Sequence, residues 1–301
     1  MSRTGSGPKM DLVSDGTYYG KHRVRILQHF RHGNTHNIKE VAVNTHLSLA
    51  RQRDYLHGDN SDVIATDSQK NTVYALAKTK GIRTPEQFAM DLSRHFLTTY
   101  EQVVRTEISV EEAPWHRMDH SGKEHVHAFI HRQEAKRFCI VQQEKNGLPK
   151  VSSGLSDMKV LKTTKSGFVG FVRDRFTSLP ETTDRILCTS VRGKWSYSSV
   201  AGIDFDKTWE ICKNTILDIF AGPPETGMYS PSVQQTLYQA AQQIMAKVPQ
   251  VDKVELEMPN IHYLFADLKK IGMENSGDIL VPTDEPRGYI RAAVCRTTAR
   301  L

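Results

Sequence analysis

Apolar and polar positions alternate in some stretches of this chain and recur at helical spacing in others. Val104, Thr106, Ile108 and Val110 alternate with Arg105, Glu107 and Ser109; Val254, Leu256 and Met258 alternate with Lys253, Glu255 and Glu257. A period of two predicts strands of an antiparallel sheet with one covered face. Three stretches switch to spacings of three and four. Thr84-Pro85-Glu86-Gln87 reads as a capping box with Pro at the first helical position, leading into Phe88, Leu92 and Phe96. Asp206 is placed to cap a helix whose buried stripe is Trp209, Cys212, Ile216 and Ile219. Ser230-Pro231 opens another, with Val233, Leu237, Ala241, Ile244 and Val248 on one face, and Gly222-Pro223-Pro224 separates the two as a turn. The order strands, helices, strands occurs twice without an obvious sequence repeat. Gly147 and Pro149 interrupt the chain between Gln142 and Lys150, where a boundary is expected. The predicted class is α+β, with helices on one face of antiparallel sheets.

Composition narrows the function. In 301 residues, 38% hydrophobic and 25% charged, Lys plus Arg number 40 against 34 for Asp plus Glu, a net charge of +6. The basic residues are scattered, so attraction of a small anionic substrate is favoured over nucleic-acid binding. Cys139, Cys188, Cys212 and Cys295 are widely spaced and predict reduced thiols rather than a disulfide framework or a zinc site. No apolar run reaches membrane-spanning length, and the N-terminus lacks a signal-peptide core. Met1 to Lys9 is rich in Ser and Gly, and residues 1–18 are expected to be a disordered segment. No Gly-rich dinucleotide fingerprint is present.

Candidate chemistry concentrates between Val160 and Arg185. Phe168 offers a flat apolar face and Arg185 a planar fork of donors, a pairing suited to a flat anionic heterocycle. The Gln234 amide is a donor–acceptor pair matched to a lactam edge. The backbone N–H groups of Asp67 and Val233 stand where helices begin and are expected to be free. The Thr66 hydroxyl can both donate and accept, and the His262 imidazole suits a proton shuttle. Asn260 lies two residues before His262, hence on the same face of an extended segment.

These residues sit in several separated motifs: Gly20-Lys21; Ala65-Thr66-Asp67-Ser68 with Lys70-Asn71-Thr72; Lys162-Thr163-Thr164 with Ser166, Phe168, Phe171, Phe176, Leu179 and Arg185; Ser232-Val233-Gln234; and Pro259-Asn260-Ile261-His262-Tyr263. In this order they resemble the urate oxidase (uricase) family, from about Tyr19 to Leu301. The run Tyr55 to Asp62 is most similar to animal members. The resemblance implies two tandem T-fold (tunnelling fold) units, here 19–146 and 147–298, whose sheets close into a barrel in a homotetramer. It implies cofactor-free oxidation of urate by dioxygen and water to 5-hydroxyisourate and hydrogen peroxide. Lys21, Thr66 and His262 would relay protons. Asp67, Phe168, Arg185, Val233, Gln234 and Asn260 would bind substrate, with Leu179 and Ile290 lining the pocket. It also implies sites at subunit interfaces, with Lys21, Thr66 and Asp67 from one chain and the rest from its neighbour.

The final Ala299-Arg300-Leu301 is a variant of the Ser-Lys-Leu address and predicts a peroxisomal protein carried by the import receptor. The alternative reading is a zinc-dependent hydrolase or cyclohydrolase of purine or pterin rings on the same fold. It rests on His125-Val126-His127 with His131 on one strand face and Trp115-His116 nearby.

Overall fold

In the chain's second strand, alternate residues Val41, Val43, Thr45, Leu47 and Leu49 all turn inward and are buried. In this computed structural model, which describes residues 12–13, 16–283 and 285–296, that strand is β2 (Thr35–Leu49), hairpin-paired with β1 (Tyr19–His32). Helices α1 (Arg53–His57), α2 (Thr66–Lys80) and α3 (Pro85–Thr99) follow. Then come β3 (Val103–Glu112), the separate hairpin β4 (Trp115–His120) and β5 (Lys123–His131), β6 (Lys136–Glu144), β7 (Lys150–Lys162) and β8 (Leu187–Tyr197). A second helical pair, α4 (Phe205–Ala221) and α5 (Val233–Lys247), precedes β9 (Val251–Glu257) and β10 (Asn260–Phe265). A short 3₁₀ turn, β11 (Leu280–Thr283) and β12 (Arg291–Cys295) complete the described chain.

Ten strands form one antiparallel sheet in the order β1-β2-β3-β6-β7-β8-β10-β11. β8 divides its pairing: Cys188 and Thr189 meet β10, whereas Arg192 to Tyr197 meet β9, which in turn pairs β12. The sheet runs unbroken through the Gln142–Lys150 interruption, which is the β6–β7 hairpin. β1 and β10 are six strand steps apart, about 29 Å along the sheet at ordinary strand spacing. One continuous apolar core joins the helices to the sheet. Trp195, Phe88, Phe96, Leu92, Leu237 and Ile244 are among its fully buried members. The expected α+β class with an antiparallel sheet is what the chain adopts.

Helix α3 follows its sequence code. The Thr84 side chain accepts from the Gln87 N–H at 3.1 Å, Pro85 is at the first position, and Phe88, Leu92 and Phe96 are completely buried. Other details are corrected. Asp204, not Asp206, caps α4, accepting from the Lys207 N–H at 3.0 Å. Asp206 instead receives the Arg137 guanidinium at 2.5 Å, and Ile219 is only half-buried while Phe220 closes the stripe. Ser232 rather than Ser230 caps α5. In β3, Val103 replaces Val104 on the inner face, because a register irregularity at Ser48/Leu49 shifts the pairing by one position.

The Arg137 contact belongs to a buried joint between the helix pairs. Arg137 donates to Glu86 at 2.8 Å and lies 3.8 Å from Glu112. Glu86 also accepts from the Ser153 hydroxyl at 2.6 Å. Although burial opposes it, Glu86, Glu112 and Asp206 hold the Arg137 pKa above its usual value. Burial raises the Glu112 carboxyl against the lowering pull of Lys39 and Arg137. Three cysteines are buried and Cys295 is exposed; all four are free thiols. Residues 1–11, 14–15 and the tripeptide Ala299-Arg300-Leu301 lie outside the described residues. Tyr18, in the segment expected to be disordered, stacks on the His46 ring at 4.3 Å.

Candidate active site

Beyond β7 the chain leaves regular structure, yet it is tied down by backbone bonds. Ser166 bridges Ser230, and the Gly167 N–H donates to the Ser230 carbonyl at 3.0 Å. Phe168 and Thr182 exchange bonds of 2.7 and 3.1 Å, and the Arg185 N–H donates to the Ser166 carbonyl at 2.9 Å. Gly167 gives the Tyr229 ring its room, since a Cβ there would lie 2.1 Å from the Tyr229 hydroxyl and would displace it. These ties bring the Arg185 guanidinium 5.4 Å from the centre of the Phe168 ring, whose other neighbour is the stacked Phe171 ring at 4.8 Å.

Phe168, Leu179, Arg185, Asn260 and His262 line one cavity of about 650 Å³. Asn260 and His262 share it as alternate residues of β10, as their spacing predicts. Arg185 and Asn260 of this lining, and Ser166 and Thr189 close to them in the fold, carry unused polar atoms. Arg185 Nε, Asn260 Oδ1 and the hydroxyls of Ser166 and Thr189 are buried without a hydrogen-bond partner among the described residues. Asn260 and Thr189 are direct cross-strand partners. Buried polar atoms are ordinarily satisfied, so such a cluster is what a polar ligand would complete. Burial lowers the Arg185 pKa, with Tyr229 opposing; a guanidinium nonetheless stays cationic.

Val233 and Gln234 are the first two residues of α5, whose lead-in Ser230 is bonded to Lys165 and Gly167. The Val233 side chain is buried in the core. Gln234 is exposed and finds no side-chain partner among the described residues, although it is not among the residues lining the cavity. Ile290 is also absent from that lining. It stands behind Asn260, its carbonyl accepting from the Met258 N–H at 2.8 Å.

Lys21, Thr66 and Asp67 are elsewhere. Lys21 is a half-buried residue of β1, and the register shifts between it and Val24. Gly20 lets β1 approach β2, because a Cβ there would lie 1.6 Å from the Thr45 carbonyl oxygen. Thr66 and Asp67 open α2, where Ala65 holds the cap position and supplies no side-chain bond. The Thr66 and Asp67 N–H groups are therefore free, and Thr66 does not cap the helix. The Asp67 carboxylate takes Lys70 at 2.5 Å and Asn71 at 3.0 Å; the Lys70 bond, then its charge, lowers the Asp67 pKa. This group belongs to the β1 end of the sheet, and the cavity to the β10 end.

The histidines of the alternative reading have other employment. His125 Nδ1 accepts from the backbone N–H groups of His127 and Ala128, and His131 packs edge-on to Trp115. Among the described residues no three His, Cys, Asp or Glu side chains gather as ligands for a metal ion. Sequence reasoning assigned no role to Lys162, whose ammonium donates at 2.8 Å to both the Met228 carbonyl and the Ser230 hydroxyl. Its place in the Lys162-Thr163-Thr164 motif was the available signal.

Comparison with known proteins bears on this arrangement. The uricase family model matches residues 17–142 and 151–291. The uricase of Oryctolagus cuniculus is 47% identical over 98% of both chains, and that of Danio rerio 47% identical over 97% of both. The crystal structure of uricase from Arthrobacter globiformis superposes with a TM-score of 0.89, at 32% identity over 98% of each chain. A likeness spanning both ends of the sheet and nearly the whole length of its relatives means that this chain belongs to the uricase family.

Proposed function

We propose that the chain oxidises urate with dioxygen and water to 5-hydroxyisourate and hydrogen peroxide, in a site assembled from two copies. The observation that carries this reading is the cavity at the β10 end. It joins an aromatic face, a cationic fork, unpaired buried polar atoms and His262, while the other two proton-handling candidates, Lys21 and Thr66, belong to the β1 end of the sheet, about six strands away. Edge-to-edge association of two copies would bring the ends together. Two tandem T-fold units, 19–146 and 147–298, closing into a barrel within a homotetramer, supply that association. Sheet edges at β1, β11 and β12 that are unpaired among the described residues agree with it.

In this reading Phe168 stacks under the purine, Arg185 grips one edge as a bidentate donor, and Gln234 reads the opposite lactam. The free N–H groups of Val233 and Asp67 add donors at helix starts. Lys21 draws a proton through Thr66 and His262, while Asn260 and Thr66 hold dioxygen or water over the ring. Two electrons leave urate and reduce dioxygen to peroxide; water supplies the hydroxyl that bonds to the ring carbon, so atoms and electrons balance without a metal or flavin. Production of peroxide suits the peroxisome, to which Ala299-Arg300-Leu301 would direct the chain through the import receptor.

The test is incubation of chelator-treated, purified protein with urate under air. Urate absorbance should fall, and one peroxide should appear per urate lost. Activity lost on chelation and restored by zinc would instead support a metal-dependent hydrolase.

A further inference from the structure

Polar side chains that are wholly buried and wholly satisfied fix geometry, because every alternative arrangement strands a donor or an acceptor. Thr45 and Gln69 are two such residues, both completely buried. The Thr45 hydroxyl accepts from the Lys21 N–H at 3.3 Å and donates to Gln69 Oε1 at 2.7 Å. Gln69 Nε2 donates to the Ile64 carbonyl at 3.1 Å. The Ile64 N–H donates to the Tyr19 hydroxyl at 2.9 Å. Two residues before Thr66, the Ile64 N–H is thus tied directly to β1, and the Ile64 carbonyl is tied to Thr45 of β2 through Gln69 of α2.

This clamp explains an otherwise odd helix start. The first turn of α2 has no side-chain cap, which leaves the Thr66 and Asp67 N–H groups without an internal partner. The helix origin is held from behind instead, through Ile64. The same bonds run to the backbone of Lys21, so one continuous chain joins the two residues that would exchange a proton.

We propose that Thr45 and Gln69, assisted by Tyr19, are positioning residues that set the placement of Lys21 relative to Thr66; this rests on the relay reading above. None of the three touches the substrate. They act by holding the Lys21 amine and the Thr66 hydroxyl in place for proton transfer, so loosening them slows turnover while leaving the purine-gripping end of the sheet intact.

The experiment measures kcat for urate per folded subunit and the inhibition constant of xanthine, used as a non-reacting purine. Thr45→Val keeps the shape and removes the hydroxyl. It should lower kcat about tenfold or more and leave the xanthine constant within about twofold. Thr45→Ser should restore most of the turnover. Tyr19→Phe, a mild change at a half-buried position, should lower kcat about threefold with folding preserved. In a Lys21→Ala background, Thr45→Val should add no further loss, as expected of residues acting through one group. Unchanged kcat in both Thr45→Val and Tyr19→Phe, or equal losses of turnover and xanthine affinity, would overturn the proposal. If Lys21→Ala itself left kcat undiminished, the relay reading would fall; if Lys21→Ala abolished turnover while the clamp variants did nothing, only the clamp would.

Discussion

The two ends of the sheet hold their functional candidates by opposite means. At the β1 end, Lys21, Thr66 and Asp67 stand on a strand and a helix start. Their supports, Thr45 and Gln69, are buried and hydrogen-bonded to one another and to the backbones of Lys21 and Ile64. At the β10 end, Phe168 and Arg185 stand on an irregular segment fastened by backbone bonds to Ser230 and Thr182, and buried polar atoms are left over. Each end also needs a glycine where backbones or side chains crowd: Gly20 beside Lys21 and Gly167 beside Phe168. A satisfied, rigid frame suits groups that must pass a proton over a fixed distance. Unsatisfied donors and acceptors suit a surface that a ligand completes. In the proposed site the β1 end thus contributes the relay pair Lys21 and Thr66, and the β10 end the ring-gripping Phe168 and Arg185 together with His262.

The largest effects should fall on opposite kinetic parameters. Arg185→Ala should weaken xanthine binding by about 2–4 kcal/mol, or about 30- to 1000-fold, as loss of a half-buried charged donor does. Thr66→Ala should lower kcat about 100-fold, with xanthine affinity within a few fold. If Thr66→Ala chiefly abolished binding, the division between the two ends would break.

A smaller effect sharpens the same contrast. Burial lowers the Lys162 pKa, and its ammonium pins the Met228–Ser230 approach to α5. Lys162→Met keeps the aliphatic stem but releases that pin. Titration with xanthine should show affinity about 5- to 10-fold weaker, and kcat should stay within about twofold. A kcat loss at unchanged affinity would place Lys162 with the proton-moving residues instead.

The smallest effect concerns the joint between the ends. Burial raises the Glu112 pKa in the folded protein. A carboxyl raised on folding contributes stability that is fully present below its unfolded value and is lost as pH rises through its folded value. At neutral pH the ionised Glu112 therefore costs stability, while Arg137 retains Glu86 and Asp206. Thermal denaturation of Glu112→Gln should give a Tm about 1–3 °C above wild type at pH 7, and the gap should close near pH 4. Both half-sites should keep their kinetic constants. A lower Tm at pH 7 would mean that the Glu112 charge is needed by Lys39 and Arg137.

Local codes were legible in the sequence, and distant pairings were not. The Thr84–Gln87 start, the alternation of β9 and the apolar face of α5 depend on neighbours within a few residues. The cap of α4 was misplaced because Asp206 is drawn away by Arg137, sixty-nine positions earlier in the chain. The inner face of β3 slipped because Val104 is an extra residue of β3 between the partners of Ser48 and Leu49, which shows only when β2 is paired alongside. The candidate site residues were read from their ordered motifs, whereas the clamp of Thr45 and Gln69 and the anchor Lys162, which join residues 24 to 68 positions apart, were not readable in that way. A polar residue in an alternating strand gives no sign of which buried partner will satisfy it.

The central claim, that each site draws on two copies of the chain, is tested most directly by complementation. Thr66→Ala and Arg185→Ala, each nearly inactive alone at low urate, are refolded together, and activity at low urate is followed against the fraction of mixed oligomer seen by native mass spectrometry. With the residues supplied by different copies, a mixed pair has one site carrying both lesions and one carrying neither, so activity should rise with the mixed fraction. Mixed oligomers that form and stay inactive would place Thr66 and Arg185 in the same chain's site and contradict the shared-site claim.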